Sequence, residues 1–362
     1  MTIPARNEER AIVDALGSIA TQTATDCFLV IVFANNCNDE TARKAREFAE
    51  SRPQLRLHIA EGHLSPPFDH VGTARKALMD YAAERFFEAG RPRGIMATTD
   101  ADTCVARDWV AETLIEMRHA DAVAGLVEIG AIERRNLPPA VRALYAQENA
   151  FRRAWAKLEA LIDPVPEDPF PRHCSFVGAS FAVTAEIYRR AGGLPEVPAL
   201  EDRIFLHALR RVDARVRFSR KVRAATSGRP DGRVEGGFGT LVKHLYTQGA
   251  HGGTLLVENP CQIFEEAQSR AALRRIWRGS CENIDMTIVC KMFETTPEQV
   301  QQLIDDGRPF GENYEALEKG SNAADRAYPL VPVGEAIEGL HALAAAAKAA
   351  APTRSRAASG AG

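Results

Sequence analysis

Two unbroken apolar runs, each ending abruptly in polar turn residues, constrain this chain more than any other feature. Phe28 to Ala34 stops at Asn35-Asn36-Cys37-Asn38-Asp39, and Gly94 to Thr99 stops at Asp100-Ala101-Asp102. A strand with one face in water alternates apolar and polar residues; an uninterrupted run marks a strand covered on both faces, as in a parallel sheet between helices. Asn and Asp end such runs because their short side chains bond the turning backbone. Helical patterns fill the intervals: about Glu9 to Ile19 after a stub at Thr2-Ile3, then Thr41 to Ser51. Val71 to Phe87 follows, with an apolar stripe at Val71, Ala74, Leu78, Tyr81 and Ala82. Leu55 to Ile59 reads as a further strand. This alternation predicts an α/β fold, a doubly wound and mainly parallel sheet flanked by helices, with ligand groups at the carboxyl ends of strands.

The second half continues with a strand at Val123 to Ile129 and a long helix from Pro138-Pro139 to about Ile162. After a Pro-rich stretch, Phe176 to Val183 reads as a strand and Ala185 to Ala191 as a helix. Another helix at about 202–211 precedes strands near 215–218 and 221–225. Past 258 strand signals cease, and Thr296-Pro297-Glu298-Gln299 is a helix start with a capping box. The expected organisation is a domain over 1–257, divided at 103/104, a helical segment over 258–349 and a disordered tail over 350–362.

A net charge of -3 gives no electrostatic case for nucleic acid as a partner. The 7 cysteines include no Cys-x-x-Cys pair, so free thiols in a reducing compartment are expected. No stretch reaches the roughly 20 apolar residues of a membrane span. A cytoplasmic protein without a transmembrane segment is the expectation; a homodimer is left open.

The strongest chemical signal is Asp100-x-Asp102. Two carboxylates at a strand end are costly to bury without a counter-charge, and Mg²⁺ or Mn²⁺ bridging to phosphate oxygens would supply it. The competing reading is a solvated turn. Glu201-Asp202 opens a helix, where carboxylates are ordinary caps; the functional reading makes Asp202 a general base with Glu201 as its neighbour. Pro4-Ala5-Arg6-Asn7-Glu8-Glu9 sits between the first strand and its helix, where backbone amides can meet a nucleotide. Arg75 or Lys76, opening the Val71 helix, could reach a diphosphate. Arg229 and Arg233 lie in a Gly-rich loop suited to close over phosphates.

Taken in this order, these segments, with Gly178-Ala179-Ser180-Phe181-Ala182 between them, resemble glycosyltransferase family 2, the inverting enzymes of GT-A fold. The likeness spans about residues 1–245. It implies a nucleotide-diphosphate-sugar donor bound by residues 1–103, with Pro4, Ala5 and Glu8 near base and ribose, and an unknown acceptor bound by 104–257. It implies that Asp100, Ala101 and Asp102 form the DxD element, Asp102 being the more direct metal ligand, and that Asp202 is the base of a single in-line displacement. Where the family carries Asp-Asp-Gly-Ser, this chain has Asn35-Asn36-Cys37-Asn38-Asp39, one residue shorter, in which Asn can still donate to and accept from a base edge. Its first strand is also shorter than the family's. Some related enzymes use a His beyond the Arg loop as a further metal ligand, which points to His244 or His251. Two alternatives stand beside this reading. One is a catalytically inactive nucleotide-sugar-binding protein; the other is a phosphatase of the haloacid dehalogenase type, which would want Thr or Val where Cys104 stands.

Overall fold

The computed structural model describes residues 1–24, 28–229, 237–280, 283–321 and 328–350. In the first half, strand and helix alternate: β1 (Thr2–Ala5), α1 (Ile12–Ala20), β2 (Val30–Asn35), α2 (Thr41–Ser51), β3 (Leu57–Gly62), α3 (Val71–Glu88) and β4 (Ile95–Thr99). There follow β5 (Thr103–Val105), α4 (Trp109–Glu116), β6 (Ala122–Ile129), α5 (Ala131–Asn136) and the long α6 (Pro139–Ile162). Next come β7 (Ser180–Thr184), α7 (Ala185–Arg190), α8 (Glu201–Arg211), β8 (Val216–Thr226) and α9 (Phe238–Ala250). The remainder is β9 (Leu256–Val257), α10 (Pro260–Trp277), α11 (Asn283–Phe293), α12 (Pro297–Asp305), α13 (Phe310–Gly320), β10 (Val331–Pro332) and α14 (Val333–Ala350).

Eight strands form one sheet in the order β3-β2-β1-β4-β7-β6-β8-β5. The first four are mutually parallel, as the unbroken apolar runs require, and β5 and β7 run against the rest. Both faces are covered. On one, Ile12, Leu16 and Ile19 of α1 and Trp109 of α4 pack against β1 and β2; on the other lie Met79 of α3, Tyr188 of α7 and Phe205 of α8. Each fully buried side chain of this kind contributes about 1.5–3 kcal/mol. The carboxyl ends of β1, β2 and β4 therefore open at one edge, which carries the Asp100 motif.

The structure departs from the sequence pattern at three places. The expected strands at 215–218 and 221–225 are one strand with a bulge: Ser219 pairs with Gly125, but Arg223 pairs with Leu126. Ser219 Oγ closes the bulge by accepting from the amides of Lys221 (3.1 Å) and Val222 (3.4 Å). The strand expected from Phe176 begins only at Ser180, because Val177–Ala179 turn towards the site. Beyond 258 the chain is not purely helical, since β10 pairs antiparallel with β9. The capping box of α12 is present, Thr296 and Gln299 bonding reciprocally. Helices α10 and α14 share a core with α6 and α9 built around Leu144, Leu158, Ile263 and Leu340.

Candidate active site

A buried arginine organises the site. Arg75, one turn into α3, is 3% exposed and uses four hydrogen bonds to tie four segments together. Its Nη2 meets Asp100 Oδ1 at 2.6 Å and its Nε meets Glu201 Oε1 at 3.0 Å. Nη1 donates to Thr98 Oγ1 (2.9 Å) and to the Gly178 carbonyl (3.0 Å). Two glycines make the approach feasible. A Cβ on Gly178 would stand 2.7 Å from the guanidinium carbon, and one on Gly72 would stand 2.1 Å from the Val197 carbonyl oxygen. Burial opposes the Arg75 charge, but Asp100 and Glu201 outweigh it and raise its pKa further above neutrality.

Helix α8 is entered through Leu200, which takes a left-handed φ of 61°. That conformation is costly for a branched residue and is found where surrounding structure imposes it. Here it delivers Glu201 to Arg75 and turns Asp202 towards Gly178, whose amide donates to Asp202 Oδ2 at 2.8 Å. The amide of Arg203 donates to the other oxygen at 2.7 Å. Burial, helped by the Glu201 charge, raises the Asp202 pKa above the ordinary aspartate value despite these bonds. Asp102 is raised too, by burial first and then by Asp100, with Arg229 working in the opposite sense. Arg229 Nη2 lies 2.9 Å from Asp102 and 3.2 Å from Glu8.

These groups face a cavity of about 1600 Å³ whose lining includes Pro4, Ala5, Arg6, Glu8, Asn35, Asp100, Ala101, Asp102, Gly178, Glu201, Asp202 and Arg229. Asn35, at the end of β2, is buried, and its Nδ2 has no hydrogen-bond partner among the described residues. A buried amide left unpaired costs free energy, so a ligand acceptor is the group it lacks.

Residues 2–162 match the model of the family described as glycosyl transferase family 2. Over that region the chain is similar to family 2 glycosyltransferases. No curated protein matches it in sequence. A mannosyltransferase of Pyrobaculum calidifontis, solved with GDP-mannose and Mn²⁺, aligns with a TM-score of 0.46 and 16% identity over 96% of this chain and 74% of its own. TarS residues 1–349 of S. aureus, solved with UDP, aligns at 0.44 and 15% over 90% and 91%. Glucosyl-3-phosphoglycerate synthase of Mycobacterium tuberculosis, with Mn²⁺, UDP and phosphoglyceric acid, aligns at 0.39 and 16% over 68% and 76%.

Several residues expected to touch ligand make other contacts in the structure. Arg75 is spent on the carboxylates just described and has no fork left for a diphosphate. Lys76 pairs with Asp80 at 2.6 Å, one turn along α3, and does not line the cavity. Asn36, at φ 51°, closes the loop after β2: its side chain exchanges two 2.9 Å bonds with the backbone of Leu64. Asp39 clamps two loops, accepting from Thr41 and from the Glu9 amide. Neither Asn36 nor Asp39 lines the cavity. His251 ends α9 with Nδ1 2.7 Å from the Thr247 carbonyl, and His244 likewise lies off the cavity wall. Arg6 lines the cavity but also bonds the Asp69 carbonyl at 2.5 Å. Arg233 lies outside the described residues.

Among the described residues no three His, Cys, Asp or Glu side chains form a ready metal cluster. Asp100 and Asp102 nonetheless suit Mg²⁺ or Mn²⁺: both are hard oxygen donors, and the desolvated Asp102 beside Asp100 calls for positive charge.

The cavity extends well beyond the carboxylate motifs. Its distal end is walled by α6, α8, α10 and α13, with Glu159, Asp163, Arg210, Arg270 and Tyr314 on the lining. The segment after 258 thus shapes the same cavity as the Asp100 motif. One signal was readable: Arg210 lies eight residues after Asp202, on the same helical stripe.

Proposed function

We propose that the chain moves a sugar from a nucleotide-diphosphate donor to an acceptor hydroxyl with inversion, Asp202 serving as general base. The observation that carries this reading is the Arg75 bridge between Asp100 and Glu201, which brings the carboxylates at 100 and 102 and the one at 202 to a single cavity. Asp202 takes the hydroxyl proton as the acceptor oxygen attacks the anomeric carbon. The bond from that carbon to the diphosphate breaks on the opposite side, and the nucleoside diphosphate leaves. Its raised pKa makes Asp202 a better proton acceptor than an ordinary aspartate, and two amide donors fix its orientation. Asn35 suits the base of the nucleotide through its unpaired Nδ2. Asp100 and Asp102 would hold Mg²⁺ or Mn²⁺, which when bound supplies charge that offsets the departing diphosphate. Arg229 offers Asp102 and Glu8 a cation where no donor is present.

The test is Asp202→Asn. The amide keeps an acceptor for the Gly178 amide but cannot take a proton, so kcat should fall by about 10²–10⁴-fold. Binding of UDP or GDP with Mn²⁺, followed by calorimetry, should be unchanged. Undiminished turnover would remove Asp202 from the mechanism, and nucleotide binding without turnover in the parent protein would mark an inactive binding protein.

A further inference from the structure

The distal end of the cavity contains a cation without an ion-pair partner among the described residues. Arg172, Arg270 and Arg274 are each paired there: Arg172 with Asp168 (2.6 Å) and Glu159 (3.0 Å), Arg270 with Glu159 (2.9 Å) and Asp163 (3.1 Å), Arg274 with Asp163 (2.9 Å). Arg210 stands among them and lines the cavity, yet its side chain makes no hydrogen bond or ion pair among the described residues. The side chain is exposed on the cavity wall; desolvation by the surrounding protein, then the Arg270 charge, lowers its pKa, with Glu159 working in the opposite sense. Glu159 and Glu318 feel its charge, but no acid among the described residues forms an ion pair with it. Glu159 and Asp163 are committed to other arginines, Glu266 accepts from Gln262 at 2.9 Å, and burial raises the pKa of both Glu266 and Glu318.

The placement of Arg210 is held from behind. Gly311 of α13 abuts it so closely that a Cβ there would fall 1.8 Å from the Arg210 carbonyl oxygen. Asp213, just past α8, accepts from the amides of Phe310 (2.7 Å) and Gly311 (2.8 Å) and locks the two helices together. Asp202, Leu206 and Arg210 form one cavity-facing stripe of α8, spaced four residues apart. Eight residues of helix separate the first from the last by about 12 Å along the axis.

We propose that the acceptor carries an anionic group, a carboxylate or a phosphate, which Arg210 receives at the distal end while the acceptor hydroxyl lies against Asp202. This rests on the transferase reading above, and it names a class of acceptor that the Asp100 end leaves open. A guanidinium on a cavity wall with no ion-pair partner can receive a planar or tetrahedral oxyanion through paired, charge-assisted bonds that a neutral hydroxyl does not supply. The acceptor class is therefore a small hydroxylated acid or a phosphorylated sugar or polyol, extended enough to span the stripe.

The experiment uses the full chain, Arg210→Gln and Arg210→Lys, with folding of each checked by thermal melting. Inorganic phosphate and malonate, at fixed ionic strength and with UDP or GDP and Mn²⁺ present to fill the donor end, are titrated by calorimetry. Saturable binding that weakens at least tenfold in Arg210→Gln and recovers partly in Arg210→Lys supports the proposal. Whichever probe binds more tightly separates phosphate from carboxylate. Equal binding to the parent and Arg210→Gln, or binding to neither, overturns it. Nucleotide binding to the same proteins, measured first, reports on the donor reading: its absence from the parent defeats the transferase assignment, whatever the anion probes do. Its loss in Arg210→Gln alone would show that residue 210 acts on the donor end, which also overturns the proposal.

Discussion

The two ends of the cavity hold carboxylates in opposite electrostatic states. At the distal end Glu159 and Asp163 are matched by Arg172, Arg270 and Arg274, and their pKa values lie below those of ordinary carboxylates even though burial alone would raise them. At the donor end Asp102 and Asp202 lie above the ordinary value because burial and a neighbouring carboxylate outweigh the bonds they receive. The distal end therefore spends its arginines on structure, apart from Arg210, whereas the donor end is left short of positive charge. A deficit of this kind is what a metal ion, a proton or a ligand fills, and it is one physical mark of a working site.

The largest effect should come from breaking the buried ion pairs at the donor end. Arg75→Met strands Asp100 and Glu201 beside a neutral side chain, and removing one partner of a buried pair costs about 3–5 kcal/mol. Urea denaturation should show that loss, and a change below about 1 kcal/mol would mean that water reaches the pair more freely than its 3% exposure allows.

Asp163→Asn tests the distal end. The residue accepts from both Arg270 and Arg274, and hydrogen bonds to charged groups contribute about 1.5–3 kcal/mol, so destabilisation of that size is expected at neutral pH. The pH dependence has a definite sign. Asp163 and Glu159 are depressed in the folded state, so their stabilisation is fully present above the unfolded values of about 3.9 and 4.3. It is lost as pH falls through the lower folded values. The gap between parent and variant should accordingly close in acid. Asp202 runs the other way. Its folded pKa is raised, so its ionised form opposes folding at neutral pH, and Asp202→Asn should melt no lower than the parent. A clearly lower melting point would show that the bond from the Arg203 amide, which Asn cannot accept together with that of Gly178, outweighs burial.

Arg229→Ala should change stability least. Its side chain is 46% exposed, and exposed ion pairs contribute about 0–1 kcal/mol. It frees Asp102, however, so the thermal shift produced by Mn²⁺ alone should grow. An unchanged shift would separate Arg229 from the metal position.

The local elements of the fold were legible because their signals are local. The runs ending at Ala34 and Thr99 became β2 and β4, and the apolar stripe from Val71 became α3 with boundaries moved by a residue. The short β5 and β10 carried too few residues to show a period, and the β8 bulge depends on a serine closing its own backbone. In the site, Asp100, Asp102, Glu201 and Asp202 stood out because paired carboxylates at element ends are costly without a reason. Asn36, Asp39 and Lys76 are polar too and sit equally close to those motifs. Only their contacts with Leu64, Thr41 and Asp80 separate them from ligand-facing groups.

By itself, then, the sequence determined the alternation of covered strands and amphipathic helices, the polar ends of those strands, and the carboxylate pairs. Each follows from backbone geometry and the cost of burying charge within a few neighbouring residues. The tertiary structure alone decided that Arg75 joins residues 126 positions apart in its bond to Glu201, and that α13 closes the cavity beyond Arg210. Those pairings are set by which surfaces meet when the core forms, and the burial that fixes them is a sum over side chains drawn from the whole chain.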